Sequence, residues 1–312
     1  MSNPADKFSP LLSSPVLLGG ENRSGTTLLS VVLDSHPSLV VGPEIDFTEP
    51  VNLGPHILDA CDFMDGHEED LKGATKASIP EQWFDGVHFV AQCERFGLHR
   101  DDVRRLVTTL MAECGSELVS LMDRCRLVDA IGTLRCQQTG AQRWGLKLQR
   151  KIKDIAAYAA FWPNAQFIHI IRDGRDLAAS HLKTVPDWGY PTVTDAAHGW
   201  LEIVAHTRQA APAERYLEIR YEDLVTRPRD TAQRMLSLLN LPWNDALLHH
   251  ADQGHSLFDT PWGHPAADAA SQPLYTGRNG RYLQDLTPQQ IVEFERIAGD
   301  ELVRLGYGLS GQ

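Results

Sequence analysis

Long apolar runs are missing from this chain. No stretch of its 312 residues reaches bilayer-spanning length, and the opening "MSNPADKFSPLLSSP" has no basic segment followed by an apolar core. Neither a transmembrane helix nor a secretory signal is expected, and the expected compartment is cytoplasmic. Cysteine is sparse as well. Cys61, Cys93, Cys114, Cys125 and Cys136 are odd in number and form no C-x-x-C pair, which speaks against a disulfide framework or a zinc site. Positive charge is in deficit: 29 Lys and Arg stand against 41 Asp and Glu, a net charge of −12. Nucleic-acid binding wants a basic face, so none is expected, although a local basic pocket for an anion remains open. Internal repeats and low-complexity tracts are absent too.

What is present is an alternation of short apolar strands with helices. "SPVLLGG" (14–20) is a buried-strand pattern ended by glycines, and "GTTLLSVVLDSHP" (25–37) is a helix closed by Pro37. "SLVVGPE" (38–44), "RWGLKLQ" (143–149), "FIHII" (167–171) and "YLEIR" (216–220) read as further strands. "KDIAAYAAFWP" (153–163), "RDLAASHLK" (175–183) and "RDTAQRMLSLLNLP" (229–242) read as helices, and "YLEIRYEDLVTRP" (216–228) as that last strand followed by a turn. Thr287, Pro288 and Gln290 form a capping box that opens a closing helix, which Gly306 stops. The pattern implies an α/β three-layer sandwich, a central mostly parallel sheet flanked by helices. A single domain over 1–312 is expected, with a mainly helical excursion at about 54–143 and a polar flap at about 251–281.

One further absence is informative. Gly20 to Thr27 has the frame of a phosphate-binding loop, G-x-x-x-x-G-K-[ST], but Thr26 stands where the lysine belongs. A strand, a glycine turn and a helix N-terminus still aim backbone N–H groups and a positive dipole end at an anion. Arg23 adds a donor fork, Gly25 permits close approach, and Ser24, Thr26 and Thr27 add hydroxyls. Such a loop suits a phosphate. It lacks the lysine that clamps β/γ-phosphates and an evident metal-holding aspartate.

Here the sequence resembles the sulfotransferases that use 3′-phosphoadenosine 5′-phosphosulfate (PAPS). "RSGTTLL" is similar to their 5′-phosphosulfate loop, and "IIRDGRDLAAS" (170–180) to their 3′-phosphate segment. The stretch "GG…RSGTTLL…LDSHP…GPE" most resembles the tyrosylprotein sulfotransferase branch and its bacterial relatives, and "RYEDLVTRP" and the late "LGY" fit as well. The resemblance covers about residues 15–50, 144–184, 215–243 and 273–308. It implies a P-loop-like fold, PAPS as sulfuryl donor, PAP (the desulfated nucleotide) as product and no metal requirement. It also implies that Arg172 and Ser180 hold the 3′-phosphate, with Tyr221 contacting the cofactor and Arg278 in "TGRNGRY" closing over it.

Transfer to a hydroxyl needs a base near the acceptor oxygen and positive charge near the departing oxygen. The resemblance assigns the base to Glu44 in "GPE" and the cation to Lys147 in "WGLKLQ". Lys147 departs from the family pattern, having Leu146 and Leu148 as neighbours. Asp46, Lys151 and Lys153 are competitors, while His36, His181 and His198 are expected to be structural. The acceptor stays open among a small molecule, a sugar and a peptide tyrosine, and so does a homodimer. The competing function is a P-loop-like nucleotide-binding protein or kinase with a degenerate loop.

Overall fold

Five apolar segments form one parallel sheet in the computed structural model, which describes residues 11–49, 52–67, 71, 79–184, 189–256 and 270–311. β1 (Val16–Gly19), β2 (Leu39–Gly42), β3 (Arg143–Gln149), β4 (Gln166–Ile171) and β5 (Tyr216–Arg220) lie in the order β2-β3-β1-β4-β5. Every paired neighbour runs parallel, which narrows the expected mostly parallel sheet to a wholly parallel one among the described residues.

Parallel neighbours cannot be joined by tight hairpins, and helices supply the crossovers. In chain order they are α1 (Thr26–Asp34), α2 (Leu53–Gly66), α3 (Glu81–Arg95), α4 (Arg100–Cys114), α5 (Leu121–Thr139) and α6 (Ile155–Phe161). There follow α7 (Gly174–Thr184), α8 (Val193–Ala210), α9 (Tyr221–Thr226), α10 (Pro228–Leu239), α11 (Tyr282–Asp285) and α12 (Pro288–Arg304). Among the described residues the excursion at 54–143 carries helices α2 to α5. Part of the expected flap, 257–269, lies outside the described residues.

Side chains alternate across each strand, so the sheet carries two cores. Leu17, Val40, Leu146, Leu148 and Phe167 pack on the excursion helices through Ile57, Val90, Val128 and Ile131. Val16, Leu18, Val41, Ile168 and Ile170 pack on the other face against Leu29, Val32, Met235 and Leu236. A third cluster joins Ile171, Leu177, Trp200, Phe294 and Leu302 beside the end of β4.

Two local readings are corrected. α6 starts at Ile155 after a 3-10 turn over Arg150–Asp154, two residues later than expected. Tyr221 opens α9 instead of sitting in a turn, because Glu222 and Asp223 complement the positive end of a helix dipole. The capping box at α12 is as expected: Gln290 N–H donates to Thr287 Oγ1 (3.2 Å) and Thr287 N–H to Gln290 Oε1 (2.8 Å).

Arg175, 2% exposed, ties the start of α7 to the closing helix. Its guanidinium donates to both oxygens of Asp173 (3.0 and 2.7 Å), to Glu295 (2.5 Å) and to the Gly308 carbonyl (2.8 Å), and lies 4.2 Å from the Tyr282 ring centroid. Removing one member of a buried ionic group strands the others without partners, at about 3–5 kcal/mol. Arg175→Ala is expected to lose stability on that scale in urea unfolding. A midpoint equal to wild type would show that the cluster does not anchor α7.

Candidate functional site

The sheet's central strand runs into the phosphate loop. After β1, Arg23 (φ 72°) and Gly25 (φ 95°) both adopt left-handed backbone, which curls the loop back onto the start of α1. A Cβ at Gly25 would sit 2.6 Å from the Tyr221 ring, so glycine is required twice over, by backbone and by space. With glycine as N-cap, α1 has no side-chain cap on its first-turn amides. Those N–H groups and the dipole suit an anion. Ser24 Oγ is buried and has no hydrogen-bond partner.

β4 delivers Arg172 beside this loop. The guanidinium donates to the Arg23 carbonyl (3.3 Å) and the Arg278 carbonyl (2.6 Å), and lies 4.9 Å from the Tyr221 ring centroid. Its Nε is buried without a partner. Arg23 Nε donates to Ser180 Oγ at 3.0 Å. The segment carrying Arg278 is held in place by Asp176, which accepts from the backbone N–H of Gly280 and of Tyr282 (2.9 Å each). Arg172 and Asp176 also pair at 3.4 Å, both buried, so this is no surface salt bridge. Burial, and then the charges of Arg278 and Arg172, make Arg23 easier to deprotonate than usual. Like charges are gathered here at a cost, which an anion offsets.

On the other side of β1, β3 delivers Lys147. Strand alternation turns Lys147 away from Leu146 and Leu148, toward α1, where its Nζ donates to Thr27 Oγ1 at 3.3 Å. The ammonium is 2% exposed. Burial lowers its pKa, Glu44 holds it up, and Arg95 lowers it further. Glu44 follows β2 and is half-buried. Burial raises its carboxyl above the ordinary range, Lys147 pulls it back, Asp46 adds to the rise, and a hydrogen bond with Gln149 lowers it. Glu44 and Lys147 therefore lie within electrostatic reach of each other.

The competitors are committed elsewhere. Burial alone would raise Asp46, but a hydrogen bond and ion pair from Lys151, with Thr48 N–H (3.0 Å) and Oγ1 (2.9 Å), hold it below the usual carboxylate range. Lys151 is occupied by that pairing and by Thr48, and Lys153 pairs with Glu202 at 3.0 Å. His36 spends both ring nitrogens, on the Pro242 carbonyl (3.0 Å) and the Ser38 N–H (3.1 Å).

All the sequence-derived site residues meet at one sheet edge in two groups. Arg23, Arg172, Ser180, Tyr221 and Arg278 form the first, Glu44 and Lys147 the second, and Thr27 touches the second from the loop. Some residues beside these were not singled out in the sequence. Glu21, the second residue of the loop, accepts from Asn22 N–H (2.8 Å) and Tyr190 OH (3.1 Å) and pairs with Arg150 at 3.3 Å. Burial outweighs Arg150 and lifts its pKa to about 7. His181 meets the Asn22 carbonyl at 3.2 Å, so it braces the loop. His88, Gln92 and Arg95 of α3 were missed as well. Their i, i+4, i+7 spacing was the one available signal, and it is shared by any buried helix face.

Among the described residues no group of three or more His, Cys, Asp or Glu could hold a metal ion, and no helix is long and apolar enough to cross a membrane. A wholly parallel sheet whose central strand feeds a glycine loop and a helix N-terminus defines a P-loop-like α/β protein. The chain belongs to the sulfotransferase family, whose model matches residues 15–245. Protein-tyrosine sulfotransferase 1 of Danio rerio is 24% identical over 242 residues, 76% of this chain and 56% of the relative. The protein-tyrosine sulfotransferase of Drosophila melanogaster is 23% identical over 245 residues, 76% of this chain and 40% of the relative. The matches thus span about half the length of these two relatives. Among solved structures, the sulfotransferase domain from the curacin biosynthetic pathway shares the fold with a TM-score of 0.62 at 19% identity, covering 96% of this chain and 100% of that one.

Gly25→Ala tests the loop. The left-handed φ and the contact with Tyr221 together predict a destabilisation of roughly 1–3 kcal/mol by thermal or urea unfolding. In a double-mutant cycle, Gly25→Ala should cost less in a Tyr221→Ala background than in wild type, the difference being the steric share. Wild-type stability in Gly25→Ala would contradict the loop geometry.

Proposed function

We propose that this protein transfers the sulfuryl group of PAPS to a hydroxyl or phenol. The observation that carries the reading is the meeting, at one sheet edge, of an arginine group around a helix N-terminus with a coupled Glu44–Lys147 pair. The buried, unpartnered Ser24 Oγ and Arg172 Nε are donors that fit phosphate oxygens. Arg172, Arg278 and Ser180 would hold the 3′-phosphate, and Arg23, Ser24, Gly25, Thr26 and Thr27 the 5′-phosphosulfate end. Bound there, PAPS supplies an activated sulfur with PAP as leaving group.

Glu44 would take the proton from the acceptor hydroxyl, and Lys147, with Thr27, would stabilise the negative charge left on the departing oxygen in an in-line transfer. The Glu44 carboxyl must be ionised and the Lys147 ammonium protonated. Burial raises the first pKa and lowers the second, so the active window narrows from both sides. The protein-tyrosine sulfotransferase relatives favour a peptide tyrosine as acceptor.

Binding is tested by calorimetry with PAP in magnesium-free buffer. Arg172→Ala is expected to weaken PAP by roughly 1.5–3 kcal/mol, the contribution of a charge-assisted hydrogen bond. Unchanged affinity would remove the 3′-phosphate assignment. ATP binding tighter than PAP, dependent on magnesium, would favour a nucleotide-triphosphate protein instead.

Chemistry is tested at Glu44. Glu44→Gln should cut turnover by about 10²–10⁴-fold while PAP affinity stays near wild type. In the wild type, the acid limb of kcat/KM against pH should lie above 4.5 and the alkaline limb below 10.5. The acid limb should vanish in Glu44→Gln. A variant that keeps most of its activity, or keeps the acid limb, would rule out Glu44 as the base.

A further inference from the structure

Asn22, the residue before Arg23, is held at both of its backbone polar groups. Glu21, the second residue of the loop, is 1% exposed. Its Oε1 accepts the Asn22 N–H at 2.8 Å and pairs with Arg150 at 3.3 Å, and its Oε2 accepts the Tyr190 hydroxyl at 3.1 Å. The Tyr190 N–H donates to His181 Nδ1 at 3.4 Å, and His181 Nε2 lies 3.2 Å from the Asn22 carbonyl oxygen. With Nδ1 as acceptor, the imidazole proton sits on Nε2 and is donated to that carbonyl. The contacts close into a ring that runs from Glu21 through Tyr190, His181 and Asn22 back to Glu21.

The ring is itself fixed in place. The Arg150 guanidinium stands 5.3 Å from the Tyr190 ring centroid, and the His181 and Tyr190 rings meet with centroids 4.9 Å apart. A Cβ on Gly199 of α8 would fall 1.9 Å from the Tyr190 hydroxyl, so a glycine there makes the room the hydroxyl occupies. What the ring controls is the next residue. Arg23 has φ 72°, a conformation that a non-glycine residue keeps only where its surroundings over-determine it. With the Asn22 N–H and C=O both taken, the peptide planes on each side of Asn22 are fixed, and the second leads into Arg23. From there the Arg23 side chain reaches Ser180 (Nε to Oγ, 3.0 Å) and its carbonyl accepts from Arg172 (3.3 Å). Ser180 and His181 are consecutive on α7, so one helix turn holds the loop by a side chain and by its backbone.

We propose that Glu21, Tyr190 and His181 are positioning residues for the sulfuryl donor: acting through Asn22, they hold the loop in the shape that receives the 5′-phosphate. This deepens the preceding reading and rests on it. The backbone strain at Arg23 is then borne by the ring and is not drawn from the binding energy of the donor, which is preorganisation. The group assigned to the 3′-phosphate has supports of its own. Arg172 donates to the Arg278 carbonyl at 2.6 Å, and Asp176 holds the Arg278 segment by the Gly280 and Tyr282 N–H groups. Loosening the ring should therefore weaken the hold on the 5′-phosphate and spare that on the 3′-phosphate.

The experiment is calorimetry at pH 8, where Glu21 is ionised, with PAP and with 3′-AMP, which lacks the 5′-phosphate. The ratio of the two affinities reads the worth of the 5′-phosphate at the loop. His181→Leu removes the donor to Asn22, and Tyr190→Phe removes only the hydroxyl that Glu21 accepts. In each the ratio should fall about tenfold, the scale of the strain released at Arg23, while 3′-AMP affinity stays within about twofold of wild type. His181→Gln can still give an N–H to the Asn22 carbonyl and accept from Tyr190, and should recover most of the ratio. Tyr190→Phe keeps its ring and decides the matter if His181→Leu fails to fold. A ratio unchanged in the variants, or an equal loss for PAP and 3′-AMP, overturns the positioning role and leaves the transfer reading intact. Wild-type protein that binds neither nucleotide overturns the transfer reading itself and the ring's role with it.

Discussion

Parallel strands share a direction, so their carboxyl ends lie along one edge. The site depends on that constraint. β1 opens the phosphate loop there, β2 leads to Glu44, β3 carries Lys147 near its end, β4 leads to Arg172 and β5 to Tyr221. An antiparallel strand would have sent its residue to the far edge, about a strand length away. β1 also sits between β3 and β4, so the loop has the lysine strand on one side and the arginine strand on the other.

Charge separation within this crevice follows from the same arrangement. Arg23, Arg172 and Arg278 are collected where a helix dipole is already positive, and the protein resists their repulsion with fixed contacts. Asp176 holds the Arg278 segment by its backbone, Ser180 takes Arg23, and two carbonyls take Arg172. The chain as a whole carries a net −12, yet exposed acids are screened over about 10 Å in salt, while buried Arg172 and half-buried Arg23 are screened much less. Net charge therefore says little about the sign of the potential inside the crevice.

The residues legible in the sequence were those at strand ends, because strand, glycine and helix patterns fix where a chain turns. Alternation also explains the departure at Lys147. Its leucine neighbours face the excursion helices, and the lysine between them faces α1. Arg175 was not legible. "RDG" reads as a turn and "RDLAASHLK" as a helix, and nothing local says that Glu295 and Gly308 will enclose the arginine that opens that helix. Tyr221 was misplaced in a turn because a polar Glu-Asp pair after a strand fits a turn and a helix start equally well. The polar face of α3 was hidden for a different reason. Helical periodicity reports that a face is buried, and says nothing of whether it meets a core or a substrate.

The Arg278 segment, pinned to α7 by Asp176, has a consequence for how the protein forms. The contacts that gather these arginines join residues 106, 149 and 157 positions apart. Loops that long close late, after local helices and neighbouring strands have formed. On the ribosome, the phosphate loop can assemble as soon as β1, β3 and β4 have emerged, but the third arginine arrives more than a hundred residues after the second. A nascent chain paused before residue 278 would hold a sheet, a loop and two of the three arginines. The group closes only when the chain returns to the end of β4 and to Asp176 on α7.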